Sequence, residues 1–546
     1  MKLKNTTTKW IFAQVKPFVP WIILISIFNV IAAVSYVFLA KLSQQIIDTA
    51  ADSSTHAFFI GSILLFGLIF LHVIIEAVVA VVITNISTKM NIQLKNYMFT
   101  QLMKKKYANL VDYHSGDLLN RFSSDVEVVV SGSVGLLPTL VTMLTKISAG
   151  IIAICLNNYL FAIAVIIVGF VFPLVGRLLS KKYKNLHKEV QKTEGLTRSF
   201  LQESFSNVVV VKTFSGEKPF LIKLNEYLGN NRSLRIKKSI FSVIISATLY
   251  LLFTLGYYGV LVWGATQIAS GVITIGTLVY FLQLISILRA PLQNISGILP
   301  KYYSTVASAE RLIELENLEN EIQNDKSTKV NFEKIICEDL TFAYTNEIVL
   351  RNNNFSINRG TLTAVTGRSG SGKSTLFKLL LGLFPATAGK ISFDKKTPVN
   401  ETTRQMFSYV PQGNMIISGT IRDNISLCDN TVSDVDIIKA AKTAVIYDFI
   451  STLPDGLDTV INERGQGLSE GQVQRIAIAR ALLFDAPIIL LDEATSALDE
   501  VTETQLLNNL KTLTDKTIIF ITHRNTSLDI CDNVLALSDG TFKLLK

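Results

Sequence analysis

The sequence has little charge, few cysteines and little proline for its 546 residues. Charged residues make up 17% of the chain, whereas hydrophobic residues make up 49%. This balance excludes an intrinsically disordered chain, which needs few apolar residues and many charges. In a purely soluble protein, charged residues make up about a quarter of the chain. We therefore expect part of the chain to lie in a membrane.

The four cysteines lie far apart, and no two of them have the spacing of a metal site or suggest a disulfide framework. They are Cys155, Cys337, Cys428 and Cys531. Because a free cysteine most often acts as a small buried hydrophobe, we expect all four to be packing residues.

Charge is unevenly distributed along the chain. Residues 1–300 contain 27 Lys and Arg against 12 Asp and Glu, whereas residues 301–546 contain 25 against 31. The basic excess accompanies long apolar runs, so the positive-inside rule explains it with fewer assumptions than nucleic-acid binding does. We expect a membrane half, a soluble half and no nucleic-acid partner.

Six apolar runs have about the 20 residues that a membrane-spanning helix needs, or more. They lie near residues 18–40, 57–84, 132–156, 158–176, 239–267 and 272–292. The connections after the second and fourth runs are long and basic, and residues 177–238 contain 14 Lys and Arg against 5 Asp and Glu. The positive-inside rule therefore places these connections, both termini and the soluble half on the cytoplasmic side of a plasma membrane.

The two long connections keep helical periodicity, and a structureless loop of that length would be improbable. We expect the spans to continue as helices into the cytoplasm and to turn at residues 112–117 and near 205–207. Inside the spans, His72 and Glu76 lie one turn apart on one helix face, and Lys146 lies in the third span. Because a charge at the bilayer centre costs at least about 2.5 kcal/mol, His72 and Glu76 are candidate cargo contacts. A polar pair between helices is the alternative.

A phosphate-binding loop follows a short apolar strand in the soluble half, at Leu362–Thr366, and precedes a helix expected to begin at Leu376. Its glycines let backbone N–H groups converge on phosphate oxygens. Lys373 is placed to reach the β- and γ-phosphates, and Ser374 to ligate Mg²⁺. The loop consists of Gly367, Arg368, Ser369, Gly370, Ser371, Gly372, Lys373, Ser374 and Thr375.

Two adjacent carboxylates end a second apolar strand, Ile488–Leu491. Asp492 is placed to hold Mg²⁺, directly or through water. Glu493 points to the other side of the strand and is a candidate general base for the attacking water. Without such partners, two carboxylates at the end of a hydrophobic strand would be costly.

Four further motifs narrow the choice among proteins with such a loop. They are Leu468-Ser469-Glu470-Gly471-Gln472, Val410-Pro411-Gln412, Ser496-Ala497-Leu498-Asp499 and Ile521-Thr522-His523-Arg524. The set resembles the nucleotide-binding domain of ATP-binding cassette (ABC) transporters. With six spans ahead of one cassette, the whole chain resembles a half-transporter of the exporter type.

The resemblance implies roles for individual residues. Tyr344 looks like the aromatic residue that stacks on adenine. Ser469, Gly471 and Gln472 match positions that touch the ATP held by a facing subunit, and Asp499 belongs to the same nucleotide-binding set. Gln412 and His523 look like catalytic residues, with Gln412 also near the metal. Residues 462–465 resemble a loop that senses the transmembrane helices, and Glu470 stands where the family usually has Gly.

The resemblance also implies the architecture and the partners. We expect an all-α six-helix transmembrane domain with long cytoplasmic extensions over residues 1–315, a linker over 316–330 and an α/β P-loop ATPase domain over 331–546. ATP and Mg²⁺ are the implied cofactors. One cassette in a chain implies a second half-transporter chain, in a homodimer or alternatively a heterodimer.

The expected function is ATP-driven export of an amphipathic or peptide-like cargo across the bilayer. A flippase for lipid or lipid-linked glycan is an alternative. An ATP-gated channel or regulatory membrane protein without coupled transport is an alternative from another class.

Overall fold

The computed structural model describes residues 2–546 except 52–54, 114, 323–329, 346, 414, 463, 464 and 466, and at some helical positions, chiefly 166–181, only the backbone. The chain divides into two compact units. The first comprises Met1–Met103 and Ser115–Asn317, and the second comprises Lys104–His114 and Leu318–Lys546. The second unit is thus discontinuous in sequence, because a short segment from the membrane half belongs to it.

Ten helices lie between residues 2 and 316 of the described chain. They are α1 (Lys2–Val15), α2 (Val19–Ala51), α3 (Thr55–Met103), α4 (Tyr107–Leu110), α5 (Ser115–Asn120), α6 (Val126–Asn157), α7 (Tyr159–Ser206), α8 (Val208–Thr213), α9 (Glu217–Ala269) and α10 (Ile275–Glu316). A 3₁₀ turn, Lys16–Phe18, joins α1 to α2, and a π-helical turn, Arg121–Asp125, joins α5 to α6. Of the ten, only α4 belongs to the second unit.

Five helical stretches of the described residues are long and apolar enough to cross a membrane. They are Thr6–Ala51, Thr55–Met103, Ser115–Asn157, Glu217–Ala269 and Ile275–Leu292. Four of these stretches contain a predicted span whole, and Ile275–Leu292 begins three residues after the predicted start at 272. The remaining predicted span, 158–176, falls on α7, where most of its side chains are outside the described part. Large apolar side chains such as Ile63, Phe66 and Leu156 are 71%, 70% and 82% exposed. Such an extensive apolar surface suits contact with lipid.

Three of the helices far exceed the thickness of a bilayer. Helices α3, α7 and α9 contain 49, 48 and 53 residues. At 1.5 Å per residue each is about 70–80 Å long, more than twice the roughly 30 Å of the hydrocarbon core. The predicted helical extensions are therefore confirmed.

The first predicted turn, 112–117, is partly wrong. Helix α3 ends at Met103, ahead of that turn, and helix resumes at Ser115, inside it. The chain leaves the helix early because Lys105 pairs with Asn320 in a β-bridge and Lys106 N–H donates to Glu319 O. These bonds replace the helical ones.

Helices α6 and α10 approach each other closely. A Cβ atom at Gly132 on α6 would lie 1.9 Å from Thr305 Oγ1 on α10, so only glycine fits there. At the start of α6, buried Asp125 accepts hydrogen bonds from Ser308 Oγ at 2.9 Å and Arg311 Nε at 2.8 Å. These contacts fix the two helices against each other.

The second unit contains two main sheets. Its strands are β1 (Lys334–Tyr344), β2 (Glu347–Asn358), β3 (Leu362–Gly367), β4 (Ala388–Phe393), β5 (Thr397–Pro398), β6 (Phe407–Val410), β7 (Gly419–Thr420), β8 (Val460–Ile461), β9 (Ile488–Asp492), β10 (Thr517–Ile521), β11 (Asn533–Ser538) and β12 (Thr541–Leu544). A six-stranded sheet has the order β12-β11-β3-β10-β9-β6, and an antiparallel sheet has the order β2-β1-β4-β5. In the six-stranded sheet only the β11–β12 pair is antiparallel.

The helices of this unit pack on the six-stranded sheet: the first of them shares one face with the antiparallel sheet, and the others lie on the opposite face. These helices are α11 (Lys373–Leu380), α12 (Ile421–Ser426), α13 (Asp434–Thr443), α14 (Tyr447–Thr452), α15 (Glu470–Leu483), α16 (Glu500–Lys511) and α17 (Asn525–Ile530). Every residue of β9 and β10 is buried, as expected for parallel strands that are covered on both faces. Parallel strands place their carboxyl ends along one edge, and that edge carries the functional residues. The predicted α/β ATPase fold is confirmed.

The cysteines are not uniformly buried. Cys337 and Cys531 are buried packing residues, whereas Cys155 and Cys428 are exposed, so the packing prediction is wrong for the latter two. Burial raises the pKa of the Cys531 thiol to about 12 and also raises that of Cys337, so neither forms thiolate readily.

Candidate functional site

The phosphate loop connects β3 directly to α11. Helix α11 begins at Lys373, three residues before the predicted start at Leu376. Gly370 and Gly372 have φ of 77° and 108°, in the region that favours glycine, and a Cβ at Gly372 would lie 2.5 Å from Val349 Cγ1. Such a backbone, at the positive end of α11, is suited to bind phosphate oxygens through its N–H groups. Arg368 and Ser369 are exposed there, and Thr375 is buried in the first turn of α11.

The Lys373 side chain folds back over this loop. Its Nζ donates to Gly367 O and to Arg368 O, each at 3.0 Å, and the residue is 4% exposed. Burial lowers the pKa of Lys373, and the nearby charges of Glu493 and Asp492 partly oppose that change. An incoming phosphate would provide a charged acceptor in place of two neutral carbonyls.

Hydroxyl groups surround the carboxylate of Asp492 at the end of β9. Ser374 Oγ donates to Asp492 Oδ1 at 2.9 Å, and the Tyr409 hydroxyl donates to Oδ2 at 3.2 Å. Burial raises the pKa of the Asp492 carboxyl. Burial of the Tyr409 hydroxyl, together with the Asp492 charge, raises the pKa of that hydroxyl, so it stays protonated.

The donor set at this point fits a nucleotide phosphate with Mg²⁺. The Ser374 hydroxyl, the Asp492 carboxylate and the Gln412 amide are oxygen ligands of the kind that Mg²⁺ prefers. Ser371 Oγ is buried and has no hydrogen-bond partner among the described residues, so a donor is available in the loop. A phosphate oxygen is the acceptor that such a donor needs.

The structure brings Gln412, Glu493 and His523 together beside Asp492. Gln412 Nε2 donates to Glu493 Oε2 at 2.6 Å, and His523 Nε2 lies 3.5 Å from Glu493 Oε1. Glu493 has φ of 51°, a left-handed conformation that is uncommon for glutamate, at the point where β9 ends. The backbone thus turns the carboxylate toward the edge where the phosphate loop lies. A carboxylate and an imidazole so placed can accept and donate protons.

Tyr344 lies at the end of β1, beside the first turn of α11. Its hydroxyl lies 3.4 Å from Thr375 Oγ1, and its ring meets those of Phe342 and Phe384 edge-on at 4.8 and 5.4 Å. An aromatic face beside a phosphate loop is suited to stacking on a nucleotide base.

The Ser469–Gln472 motif begins α15 and is stabilised by a capping box. Gln472 N–H donates to Ser469 Oγ at 3.3 Å, and Ser469 N–H donates to Gln472 Oε1 at 2.8 Å. Gly471 is buried, and a Cβ atom there would lie 2.9 Å from Ala497 O. Glu470 is exposed in the first turn, where a negative charge suits the helix dipole.

The described residues of the Ser469–Gln472 motif are not bonded to the phosphate loop of the same chain. No hydrogen bond or ion pair between described residues joins 469–472 to 367–375. Asp499 caps α16 by accepting from Thr502 N–H at 2.9 Å, and these bonds lower its pKa. Of the residues 462–465, Glu463 and Arg464 lie outside the described part.

A polar group lies inside the predicted spans. His72 Nδ1 is 2.9 Å from Ser35 Oγ, and its Nε2 is 3.1 Å from Glu76 Oε1. The Tyr36 hydroxyl donates to the same Glu76 oxygen at 3.3 Å, and Lys146 Nζ lies 4.4 Å from the centre of the Tyr36 ring. Helices α2, α3 and α6 all contribute to this group. The Glu76 side chain remains 59% exposed, so it can meet a molecule from outside.

Sequence reasoning missed Ser35, Tyr36 and Tyr409. Tyr409 stands three residues before Gln412 on a buried strand, and a polar group in a buried strand is a usable signal of a buried partner. Ser35 and Tyr36 had no such signal, because single hydroxyls in spans commonly bond their own helix.

Comparison with known proteins agrees with this geometry. Residues 22–292 match the ABC transporter transmembrane region, and residues 350–496 match the ABC transporter ATPase family. An ATP-dependent lipid A-core flippase of Syntrophus aciditrophicus is 31% identical over 84% of this chain and 78% of its own length. Another flippase of that name, from Vibrio vulnificus, is 28% identical over 94% and 89%.

A solved structure shares the fold. The structure of a bacterial Atm1-family ABC exporter with ATP bound superposes with a TM-score of 0.82, covering 97% of this chain and 95% of its own, at 24% identity. The chain therefore belongs to the ABC transporter family, as a half-transporter of the exporter type whose cassette couples ATP hydrolysis to transport across the membrane.

Proposed function

We propose that two copies of this chain form a transporter that moves a lipid-like amphipathic molecule across the plasma membrane. The observation that supports a dimer is the separation of the Ser469–Gln472 motif from the phosphate loop within one chain. Two cassettes arranged head to tail would complete each ATP site with the other chain's motif. The names of the relatives favour lipid cargo over peptide cargo.

In this proposal Glu493 accepts a proton from the water that attacks the γ-phosphate. Gln412 holds the Glu493 carboxylate through its 2.6 Å hydrogen bond, and His523 contacts the γ-phosphate from the other side of that carboxylate. Tyr344 stacks on the adenine, and Lys373 neutralises the β- and γ-phosphates. Mg²⁺, held by Ser374, Gln412 and Asp492, supplies charge neutralisation at those phosphates when bound.

The basic segments suggest the orientation. Lys and Arg are clustered in residues 177–238 and in residues 104–106. By the positive-inside rule, such clusters remain on the cytoplasmic side. The cassette and both termini would then be cytoplasmic. ATP binding would favour the closed cassette dimer, and hydrolysis would release it, so each turnover shifts the population between two states of the pathway.

Flux in sealed proteoliposomes tests the proposal. A fluorescent phospholipid or lipid A analogue should change leaflet only when ATP is supplied on the cassette side, and the Glu493→Gln variant in matched vesicles should show no flux. ATP hydrolysis without movement of either lipid or an amphipathic dye would contradict transport. Hydrolysis with dye movement and no lipid movement would favour export of a soluble amphipath.

Glu76→Gln tests whether the membrane polar group contacts cargo. A carboxylate in a span is costly unless it faces water or a partner, and Glu76 is the exposed member of its group. We expect basal ATPase activity within twofold of wild type and a loss of most of the cargo-stimulated increase.

The control for Glu76→Gln is Ser62→Ala, which removes a hydroxyl that bonds its own helix at Phe58 O on the same helix α3. A collapse in the yield of folded protein would show that Glu76 is a structural partner of His72. Unchanged stimulation would remove Glu76 from the pathway.

A further inference from the structure

A buried carboxylate outside the ATP site lies behind the two loops that carry its catalytic residues. Glu503 is on α16 and is 2% exposed. Three side chains donate to it: Thr495 Oγ1 at 2.8 Å and Ser527 Oγ at 2.9 Å to Oε1, and Arg524 Nη1 at 2.6 Å to Oε2. A charge buried this deeply persists only when it is fully paired.

Two of these donors lie next to the candidate catalytic groups in the chain. Arg524 directly follows His523, and Thr495 stands two residues after Glu493. Arg524 also donates from Nη2 to Ser496 O at 3.0 Å. Glu503 and Arg524 therefore join the His523 loop to the turn that follows Glu493.

The same turn is held from its other side by Gln474. Gln474 on α15 is 2% exposed, donates to Ser496 Oγ at 3.1 Å and accepts from Ala497 N–H at 3.1 Å. Helix α15 begins with the Ser469–Gln472 motif. A continuous set of hydrogen bonds thus runs from the His523 loop through residues 495–497 to the second turn of α15.

We propose that Glu503 is a positioning residue for ATP hydrolysis, which acts through Arg524 and the 495–497 turn to hold His523 and Glu493 in their working positions. The proposal rests on the ATP-site roles proposed above and does not depend on the cargo. It is independent of the nucleotide contacts themselves, because Glu503 lies behind the loops. Loss of the Glu503 charge should slow turnover without weakening ATP binding, since a displaced reacting group lowers rate more than affinity.

Glu503→Gln in the full-length protein is the test. Glutamine keeps the size and one acceptor for Thr495 and Ser527, but it faces Arg524 with no charge. We expect kcat to fall about tenfold or more, since a displacement of about 1 Å in a reacting group costs up to about 100-fold. The Kd for ATP, measured in the Glu493→Gln background, should stay near that of the parent protein, whereas the thermal midpoint should fall because Arg524 loses its charged partner.

Glu500→Gln is the matched control, because Glu500 is an exposed glutamate in the first turn of the same helix. In the double variant Glu503→Gln with Arg524→Gln, the fold loss of kcat should be smaller than the product of the fold losses in the two single variants. The reason is that the double variant leaves no unpaired charge. A normal kcat for Glu503→Gln would overturn the proposal. So would a loss of ATP affinity as large as the loss of kcat, which indicates a purely structural role.

A second variant covers the case in which Glu503→Gln does not fold. Arg524→Lys keeps a charge for Glu503, but it lacks the fork that also reaches Ser496 O. It should lower kcat with unchanged ATP affinity, and a normal kcat would overturn the proposal. ATPase activity is measured in these experiments without cargo. Absence of lipid flux would therefore contradict the proposed transport and would not affect the result for Glu503 and Arg524.

Discussion

Glu493→Gln should abolish most ATP turnover and leave ATP binding intact. The carboxylate lies between Gln412 Nε2 at 2.6 Å and His523 Nε2 at 3.5 Å, so an amide can occupy the same place. It cannot accept a proton from water, and a positioned general base contributes about 100- to 10,000-fold to a rate. We expect a loss in that range in steady-state phosphate release, with ATP Kd within a few-fold of wild type.

The Glu493→Gln variant should also accumulate as a closed dimer in ATP, because closure needs bound nucleotide and opening needs hydrolysis. Size-exclusion chromatography and cross-linking with and without ATP would detect it. Glu338→Gln is the control, since Glu338 is a carboxylate of the same unit that pairs with Lys390 and Lys395 away from β9. Near-normal hydrolysis by Glu493→Gln would exclude Glu493 as the base.

Lys373→Ala should weaken ATP binding and turnover together. Lys373 Nζ is the buried cation of the loop, 3.0 Å from two carbonyl oxygens, and a phosphate would gain a charge-assisted bond from it. Hydrogen bonds to charged groups contribute about 1.5–3 kcal/mol, which corresponds to a loss of about 10- to 150-fold in affinity. Binding of a fluorescent ATP analogue measures the loss directly.

The stability of Lys373→Ala separates a lost contact from a lost fold. Burial lowers the pKa of Lys373, so the charged side chain is a cost to the folded state without phosphate. We expect the thermal midpoint without nucleotide to be unchanged or higher, and the ATP-induced rise in that midpoint to be largely lost. The surface variant Lys396→Ala should keep both. An ATP affinity equal to wild type would show that the loop at 367–375 does not hold the phosphates.

The sequence was sufficient for features set by local chemistry. The phosphate loop and the buried strand before Asp492 depend on glycine conformation and on apolar runs. Their positions follow from near neighbours in the chain. The start of α11 was misplaced by three residues, because Lys373 is already helical while it still serves the loop.

Features that depend on distant partners could not be predicted. Nothing near Glu503 in the sequence shows that Arg524 and Thr495 donate to it, because those contacts form only when α16 packs beneath two separate loops. The same holds for Tyr36, whose hydroxyl meets Glu76 from another helix. Lys105 leaves its helix to pair with Asn320, more than 200 residues further along the chain.

That pairing has a consequence for how the protein is made. The segment Lys104–His114 belongs to the second unit, where Lys105 Nζ donates to Leu318 O at 2.9 Å and the Tyr107 ring meets Phe384 at 5.7 Å. A ribosome adds about 5–20 residues per second, so this segment waits on the order of ten seconds or more for its partners to be synthesised. The first unit must therefore insert into the membrane and keep the segment Lys104–His114 accessible before the cassette is synthesised. A cassette expressed from residue 331 onward lacks this segment. It would therefore expose Phe384 and be more prone to aggregate than the same cassette within the full chain.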